Sequence, residues 1–180
     1  IQAGMDYSQA PSRPDLCDRY CYWHANVEDH REYQFASHFF YKAVQRFEML
    51  MNAEAESIYG SLKSFFGQSA VHSIRNQSYV QICFYRARLA VEGRKFLQEP
   101  HEDGHLFTIA KPTGSGLVVL DGGKFIDVDT GENEAFVMAG SLLSSLTEDV
   151  IKPAIHAVDA ASAGKNRLSA LYFANPDPGH

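Results

Sequence analysis

The second half of the chain is patterned as short β-strands, and this pattern constrains the fold most. In the segment 78–86 apolar residues recur at every second position, as in a strand with one apolar and one mixed face. The apolar face carries Val80, Ile82 and Phe84, and the mixed face carries Tyr79, Gln81, Cys83 and Tyr85. Further strands are predicted at 101–109, 117–120, 124–128, 135–138, 155–158 and 168–174. The sequence Asp121-Gly122-Gly123 tolerates positive φ and predicts a tight hairpin.

A helical block precedes these strands. Between about Asn26 and Phe66 the apolar residues recur at steps of three, four or seven, the spacing of one helix face. This stripe, which we interpret as core, consists of Phe40, Val44, Phe47, Met51, Ile58, Leu62 and Phe65. We therefore predict one mainly β domain with flanking helices over residues 1–180. It comprises a loop at 1–25, helical support at 26–67 and a sandwich or barrel core at 78–178.

Charge and cysteine content narrow the function classes. The formal net charge is -6 and no run of Lys or Arg exceeds two residues, which argues against nucleic acid or a membrane as partner. The three cysteines are an odd number and lack the second pair that a zinc site would need. We expect a cytoplasmic protein. The chain begins at Ile1 without an initiator Met, so we expect an upstream region to be missing.

One imidazole and one carboxylate are predicted to face the same way at the start of the strand 101–109. Side chains two positions apart on a strand share a face, so His101, Asp103 and His105 are predicted neighbours. His156 lies on a separate predicted strand in an apolar context, where it is either a buried core residue or a third ligand. Two His and one carboxylate on one side of an ion suit Fe(II), with zinc as the chemical alternative.

A candidate carboxylate receptor follows eleven residues after His156. Arg167 and Ser169 share a face on the predicted strand, and a guanidinium beside a hydroxyl can bind a carboxylate, with the arginine bidentate. A surface arginine in a salt bridge is the alternative. The position of the pair, after a candidate ligand, favours the receptor.

The residues from about Tyr79 to Pro178 resemble the iron and 2-oxoglutarate oxygenases of the isopenicillin N synthase-like group. The resemblance lies in the order and spacing of several short motifs. They are His101-x-Asp103, Gly116-Leu117-Val118-Val119, Gly123-Lys124-Phe125-Ile126-Asp127-Val128, Gly140-Ser141-Leu142-Leu143, His156-x-Val158, Arg167-x-Ser169 and Phe173-x-Asn175-Pro176. Each motif is short, but the combination covers more than half of the chain.

The resemblance implies a double-stranded β-helix, a cupin-like jelly roll, backed by the long helix. Fe(II) would be held by His101, Asp103 and His156, and the distal carboxylate of the co-substrate 2-oxoglutarate by Arg167 and Ser169 with help from Tyr85. Such enzymes use O2, and some use ascorbate, and they release succinate and CO2 while oxidising, most often hydroxylating, a small molecule. Phe173 matches a position where the family sets an aromatic ring against substrate. His105, on the face shared with the ligands, is a second candidate contact.

Some departures from the family pattern concern positions beside the ligands. Ala157 stands where an Arg usually follows the distal His, Ser141 replaces the Asp of Gly-Asp, and Cys83 replaces the Asn of Asn-Tyr-Tyr. None of them is a ligand, so the expected metal site is kept while the groups that orient it differ. We also expect the family's usual amino-terminal region to be missing from this sequence.

Three other interpretations stay open at this point. Some family members turn over without 2-oxoglutarate, as isopenicillin N synthase and the ascorbate-using ethylene-forming oxidase do. A non-catalytic β-helix protein could bind a metal or a small molecule, although it has no chemical need for three ligands around an open position. A zinc hydrolase needs a general base, and Glu102 alternates onto the strand face opposite Asp103.

Overall fold

Two antiparallel sheets and one long helix make up the described part of the chain. The computed structural model describes residues 15–25, 38–66, 73–87 and 93–177. In chain order the elements are β1 (Asp18–Trp23), α1 (His38–Leu62), β2 (Tyr79–Tyr85), β3 (Phe96–His101), β4 (Phe107–Pro112), β5 (Leu117–Asp121), β6 (Lys124–Asp127), β7 (Phe136–Ala139), α2 (Ser141–Leu146), β8 (His156–Asp159) and β9 (Arg167–Ala174).

The strands form a major sheet of order β1-β2-β9-β4-β7 and a minor sheet of order β3-β8-β5-β6. Pairing between strands distant in sequence gives the jelly roll, or double-stranded β-helix, that was predicted. The predicted hairpin is confirmed, because β5 and β6 pair through Asp121 and Lys124, with Gly122 and Gly123 between them at φ 52° and 80°. Positive φ at both central residues of the turn matches the right-handed twist of the two strands.

Helix α1 covers the outer face of the major sheet. Val80 and Ile82, from the predicted apolar face of β2, are buried in one cluster with Tyr41, Val44 and Tyr59 of α1. The predicted helix is therefore confirmed from His38 to Leu62, while residues 26–37 lie outside the described part. Most of the predicted stripe packs against this core, but Phe65 is about half exposed because the chain leaves the helix in a 3-10 turn over Lys63–Phe65.

The predicted loop at 1–25 is wrong at β1, which pairs with β2 from Asp18 to Trp23. Alternating residues of this strand face α1, where Tyr20 contacts Phe40 and Tyr22 contacts Tyr41. The pattern was missed because neither face of the strand is plainly apolar. Residues 1–14 of the predicted loop lie outside the described part.

The predicted strand 101–109 is also wrong, because it is the end of one strand and the start of another. His101 ends β3 and Phe107 begins β4, so Asp103 and His105 lie in the connection. Strand β3 escaped prediction because its pairing with β8 shifts register on both sides of Gln98, which removes the period of two. The five later strands agree with prediction within one residue at each end.

No helix in the described ranges is long and apolar enough to span a membrane.

Candidate metal and co-substrate site

The two sheets enclose a cavity of about 730 Å³. Its wall is built by the mixed faces of β2 and β9, which include Tyr79, Gln81 and Tyr85, and its opposite side by β3 and β8. Tyr85 faces the cavity, as the alternation along β2 predicts. Because β2 and β9 are paired strands of the major sheet, their inward residues form rows across it, with Tyr85 opposite Arg167.

Three candidate ligands meet at one end of this cavity. His101, the last residue of β3, pairs across the minor sheet with His156, the first residue of β8, and Asp103 follows two residues later in the connection. His101 Nε2 lies 3.7 Å from Asp103 Oδ1, and His156 Nε2 lies 3.8 Å from Asp103 Oδ2. One ligand atom from each residue lies within 4.8 Å of the other two. A single ion can therefore reach all three.

Backbone carbonyls prepare both imidazoles for a metal. His101 Nδ1 lies 2.8 Å from the carbonyl oxygen of Glu99, and His156 Nδ1 lies 3.0 Å from that of Ala154. A carbonyl only accepts, so the proton sits on Nδ1 and the Nε2 lone pair points at the ion position. Burial, reinforced by the neighbouring His101, lowers the pKa of His156 below its ordinary value. Both effects keep His156 neutral, which is the form that binds a metal.

Asp103 is fixed from the major sheet. The buried hydroxyl of Thr108 on β4 donates to Asp103 Oδ2 at 2.6 Å. The loop itself is held by the start of α2, where the Ser141 amide donates to the Asp103 carbonyl at 2.8 Å and the Gly140 amide to the Leu106 carbonyl at 2.9 Å. The Gly140-Ser141 motif thus positions the carboxylate through its backbone, which explains how Ser141 can stand where the family usually has Asp.

This donor set fits Fe(II). Two neutral imidazoles and one carboxylate on one side of an ion are the facial triad of non-haem iron sites, and the cavity leaves the other side open. Zinc accepts the same ligands. His101, Asp103 and His156 are brought together by the fold, while their binding of iron stays a prediction.

The predicted carboxylate receptor lies on the wall of the same cavity. Arg167 and Ser169 are 3% and 6% exposed, and Arg167 Nη1 donates to Ser169 Oγ at 2.8 Å. Arg167 Nε donates to the Ser115 carbonyl at 3.0 Å, and the guanidinium lies over the ring of Tyr85 at 5.2 Å. The alternative of a surface arginine is wrong, because this guanidinium is buried and donates to a hydroxyl and a carbonyl.

The hydroxyl of Tyr85 contacts a side chain that also reaches the candidate ligand His101. It donates to Gln98 Oε1 at 2.8 Å, and Gln98 Nε2 lies 3.2 Å from His101 Nε2. Burial raises the pKa of Tyr85 well above its ordinary value, so the hydroxyl stays protonated. A continuous chain of polar contacts thus connects the receptor with the ligand cluster.

Aromatic rings line the cavity on the side of Asp103. Tyr79 stacks between Trp23 and Phe173, with ring centroids 4.9 and 4.8 Å apart. His105 Nε2 lies 3.3 Å from the Tyr79 hydroxyl, and its Nδ1 lies 2.9 Å from Asn175 Oδ1. Both predicted substrate contacts, Phe173 and His105, therefore belong to this group and line the cavity.

A match to a family model identifies the family of this chain. The model of the 2OG-Fe(II) oxygenase superfamily matches residues 72–176, which is more than half of the chain. The chain belongs to the 2OG-Fe(II) oxygenase superfamily. The matched range contains all of the predicted site residues, from Tyr85 to Phe173. No curated protein matches the chain significantly.

Solved structures of other oxygenases share the fold of this superfamily member. JOX2 in complex with 2OG, Fe and JA is 18% identical with a TM-score of 0.62, covering 98% of this chain and 54% of its own. A full-length Neurospora crassa protein in complex with alpha-KG is 21% identical with a TM-score of 0.61, covering 91% and 56%. The dioxygenase for auxin oxidation 1 of Arabidopsis thaliana is 22% identical with a TM-score of 0.52, covering 56% and 39%. The chain spans about half the length of these proteins.

Sequence reasoning missed several residues of the site. Gln98 fell in a stretch without a strand pattern, and Thr108 looked like an ordinary strand residue because its partner Asp103 is five positions away around a turn. Tyr79 was placed on the mixed face of β2 but was given no role. Asn175 was quoted as part of a motif, and its contact with His105 could not be read from spacing.

Proposed function

We propose that the protein is an Fe(II)- and 2-oxoglutarate-dependent oxygenase that hydroxylates a small molecule. One observation carries the proposal: the cluster of His101, Asp103 and His156 and the buried pair of Arg167 and Ser169 line one cavity. A metal alone would need only the first group. The second group is a receptor for a carboxylate inside the protein, which a small dicarboxylic co-substrate would fill.

The three ligands would hold the iron, which, when bound, supplies the activation of O2 that couples decarboxylation of 2-oxoglutarate to oxidation of the substrate. One oxygen atom goes to succinate and the other to the product, and CO2 leaves. The ligands occupy one side of the ion position, so the opposite side is open toward the cavity. Thr108 and the backbone of Ser141 keep the Asp103 carboxylate in place.

Arg167, Ser169 and Tyr85 are the proposed co-substrate contacts. The guanidinium offers a permanent positive charge and the hydroxyl of Ser169 a further hydrogen bond, and burial strengthens both by excluding water. Tyr85 supports the receptor by packing its ring under the guanidinium. The co-substrate would lie between this receptor and the three ligands, with its keto acid end toward the iron.

The proposed substrate side is the aromatic group around Tyr79. Phe173 and His105 lie in it, and their neighbours Tyr79 and Asn175 fix the imidazole from both sides. The buried ring of Phe173 gives an apolar contact and His105 a polar one. Hydroxylation is the simplest outcome for a substrate held there, since it removes one hydrogen atom from the substrate carbon, whereas desaturation removes two hydrogens.

Binding of Fe(II) and 2-oxoglutarate without oxygen tests the proposal. Anaerobic addition of both should give a visible metal-to-ligand charge-transfer band in the wild type. Arg167→Ala should lose the band at the same 2-oxoglutarate concentration, while Arg86→Ala, which removes an exposed arginine of the neighbouring strand end, should keep it. A wild type that binds Fe(II) but never develops the band would overturn the 2-oxoglutarate assignment. Oxygen uptake without succinate would point to an oxidase that does not use 2-oxoglutarate.

A cytoplasmic location and a single domain over residues 1–180 are also proposed. The first is supported by the three cysteines, Cys17, Cys21 and Cys83, which are free thiols. Fractionation of the native cells and limited proteolysis of the chain test these two points.

A further inference from the structure

Gln98 connects the two halves of the site and belongs to neither predicted set. Its amide lies between the hydroxyl of Tyr85, 2.8 Å from Oε1, and the ring of His101, 3.2 Å from Nε2. The side chain is half buried and lines the cavity. A polar group in this position can act on both the receptor and the metal ligands.

The backbone of β3 is distorted so that both Gln98 and His101 reach the cavity. Residues three apart on a regular strand point to opposite faces. The register with β8 shifts between Gln98 and His101, which brings the two side chains to the same face. Without this irregularity the amide would point away from the ligand cluster.

The donors and acceptors in the series of contacts from Tyr85 through Gln98 to His101 follow from the two outer residues. His101 carries its proton on Nδ1, facing the Glu99 carbonyl, so its Nε2 can only accept. The Gln98 group beside Nε2 must then be the N–H donor. The opposite end of the amide, Oε1, accepts from the Tyr85 hydroxyl, and this contact orients the amide with its donor toward the metal ligands.

Metal binding would occupy His101 Nε2, which is the acceptor of the Gln98 N–H group. The Nε2 lone pair of His101 cannot serve a metal and an N–H group together, so the Gln98 amide needs a new acceptor in the cavity. We propose that Gln98 is a co-substrate-binding residue whose Nε2–H donates to the keto acid end of 2-oxoglutarate, with Tyr85 as the residue that positions it. This rests on the proposed function, and it would give the co-substrate contacts at both ends.

The test separates binding of the metal from binding of the co-substrate. In Gln98→Leu, Co(II) binding followed by calorimetry should be unchanged or tighter, because no donor competes for His101 Nε2. Under anaerobic Fe(II), the 2-oxoglutarate affinity read from the charge-transfer band should fall at least about tenfold, and the band should shift. Gln81→Leu is the matched control, because Gln81 also lines the cavity but its amide contacts the thiols of Cys21 and Cys83. It should leave the 2-oxoglutarate affinity within about twofold of the wild type.

The possible results distinguish a failure of the role of Gln98 from a failure of the proposed function. An unchanged affinity and band in Gln98→Leu would overturn the role of Gln98, and so would an equal loss of metal binding, which indicates a structural residue. If the wild type binds metal and shows no band, the proposed function itself fails and the inference with it. If Gln98→Leu does not fold, Gln98→Glu replaces it. That variant puts a carboxylate where the donor was, so it should tighten metal binding and weaken 2-oxoglutarate binding by more than about tenfold.

Discussion

Gly140 lies directly against the backbone of His105. A Cβ atom at Gly140 would be 2.0 Å from the His105 carbonyl oxygen and 2.9 Å from that of Asp103. No side chain can be accommodated there unless the backbone moves. The start of α2 and the loop that carries Asp103 are therefore packed together through a residue without a side chain.

Gly140→Ala should displace the Asp103 loop. We expect a loss of about 1–3 kcal/mol in the free energy of unfolding and weaker metal binding. Chemical denaturation and metal titration measure the two effects. Gly60→Ala is the control, because a Cβ atom there meets nothing within 4 Å and the position lies in α1. It should raise the stability by about 1 kcal/mol and leave metal binding unchanged.

The isosteric variant Thr108→Val should weaken metal binding by about 10–100-fold, because Asp103 loses the hydrogen bond that orients it. Metal titration by calorimetry measures the effect. Thr130 does not line the cavity, so Thr130→Val should bind metal as the wild type does. Equal affinities in all three proteins would show that Thr108 does not orient the ligand.

The fold and the site differ in how far they follow from the sequence. Patterns of alternation predicted the faces of β2 and β9 correctly, because one face of each packs on apolar side chains of the core. They failed at β3, where the register shifts remove the alternation, and at β1, where both faces carry polar and aromatic residues. The convergence of His101 with His156 required knowing that β3 pairs with β8, which no local pattern encodes. Asp103 was correctly predicted to lie beside His101. The reason was wrong, because Asp103 lies in the loop between β3 and β4 and not on a strand.

Arg167→Lys should keep the positive charge but lose the paired contacts that the guanidinium makes with Ser115 and Ser169. We expect the KM for 2-oxoglutarate to rise at least about tenfold while kcat falls less, since a lysine binds a carboxylate as a point charge. Steady-state succinate formation over a range of 2-oxoglutarate concentrations gives both constants. An unchanged KM would remove Arg167 from the co-substrate contacts.

The metal-free protein should lose stability as the pH falls. Burial holds the pKa of His156 below its ordinary 6.5, so the folded state binds the proton less readily than the unfolded chain. The contribution of neutral His156 to the free energy of unfolding is complete at a pH above 6.5, the ordinary pKa of the side chain. It is lost as the pH falls toward the lower pKa of the folded state. Melting temperatures between about pH 7.5 and pH 5 should decrease for the wild type and decrease less for His156→Gln. Parallel curves would contradict the assignment to His156.

Phe173→Ala should separate decarboxylation of 2-oxoglutarate from oxidation of the substrate. The variant keeps the metal ligands and the receptor, so succinate formation without substrate should stay within about threefold of the wild type. Substrate-stimulated turnover should fall, because the aromatic contact is lost. Comparing succinate with product once a substrate has been found by screening measures this coupling. A parallel fall of both would place Phe173 with the co-substrate instead.

The candidate ligands are held in place by both sheets, and this has a mechanical consequence. His101 and His156 end paired strands of the minor sheet, whereas Asp103 is bonded to Thr108 of the major sheet. An ion bound by all three would join the two layers at the end of the cavity where these residues meet. Metal loading should then slow amide hydrogen exchange in β3, β8 and β4 together. The same three side chains would thus govern how far the jelly roll can open at its mouth.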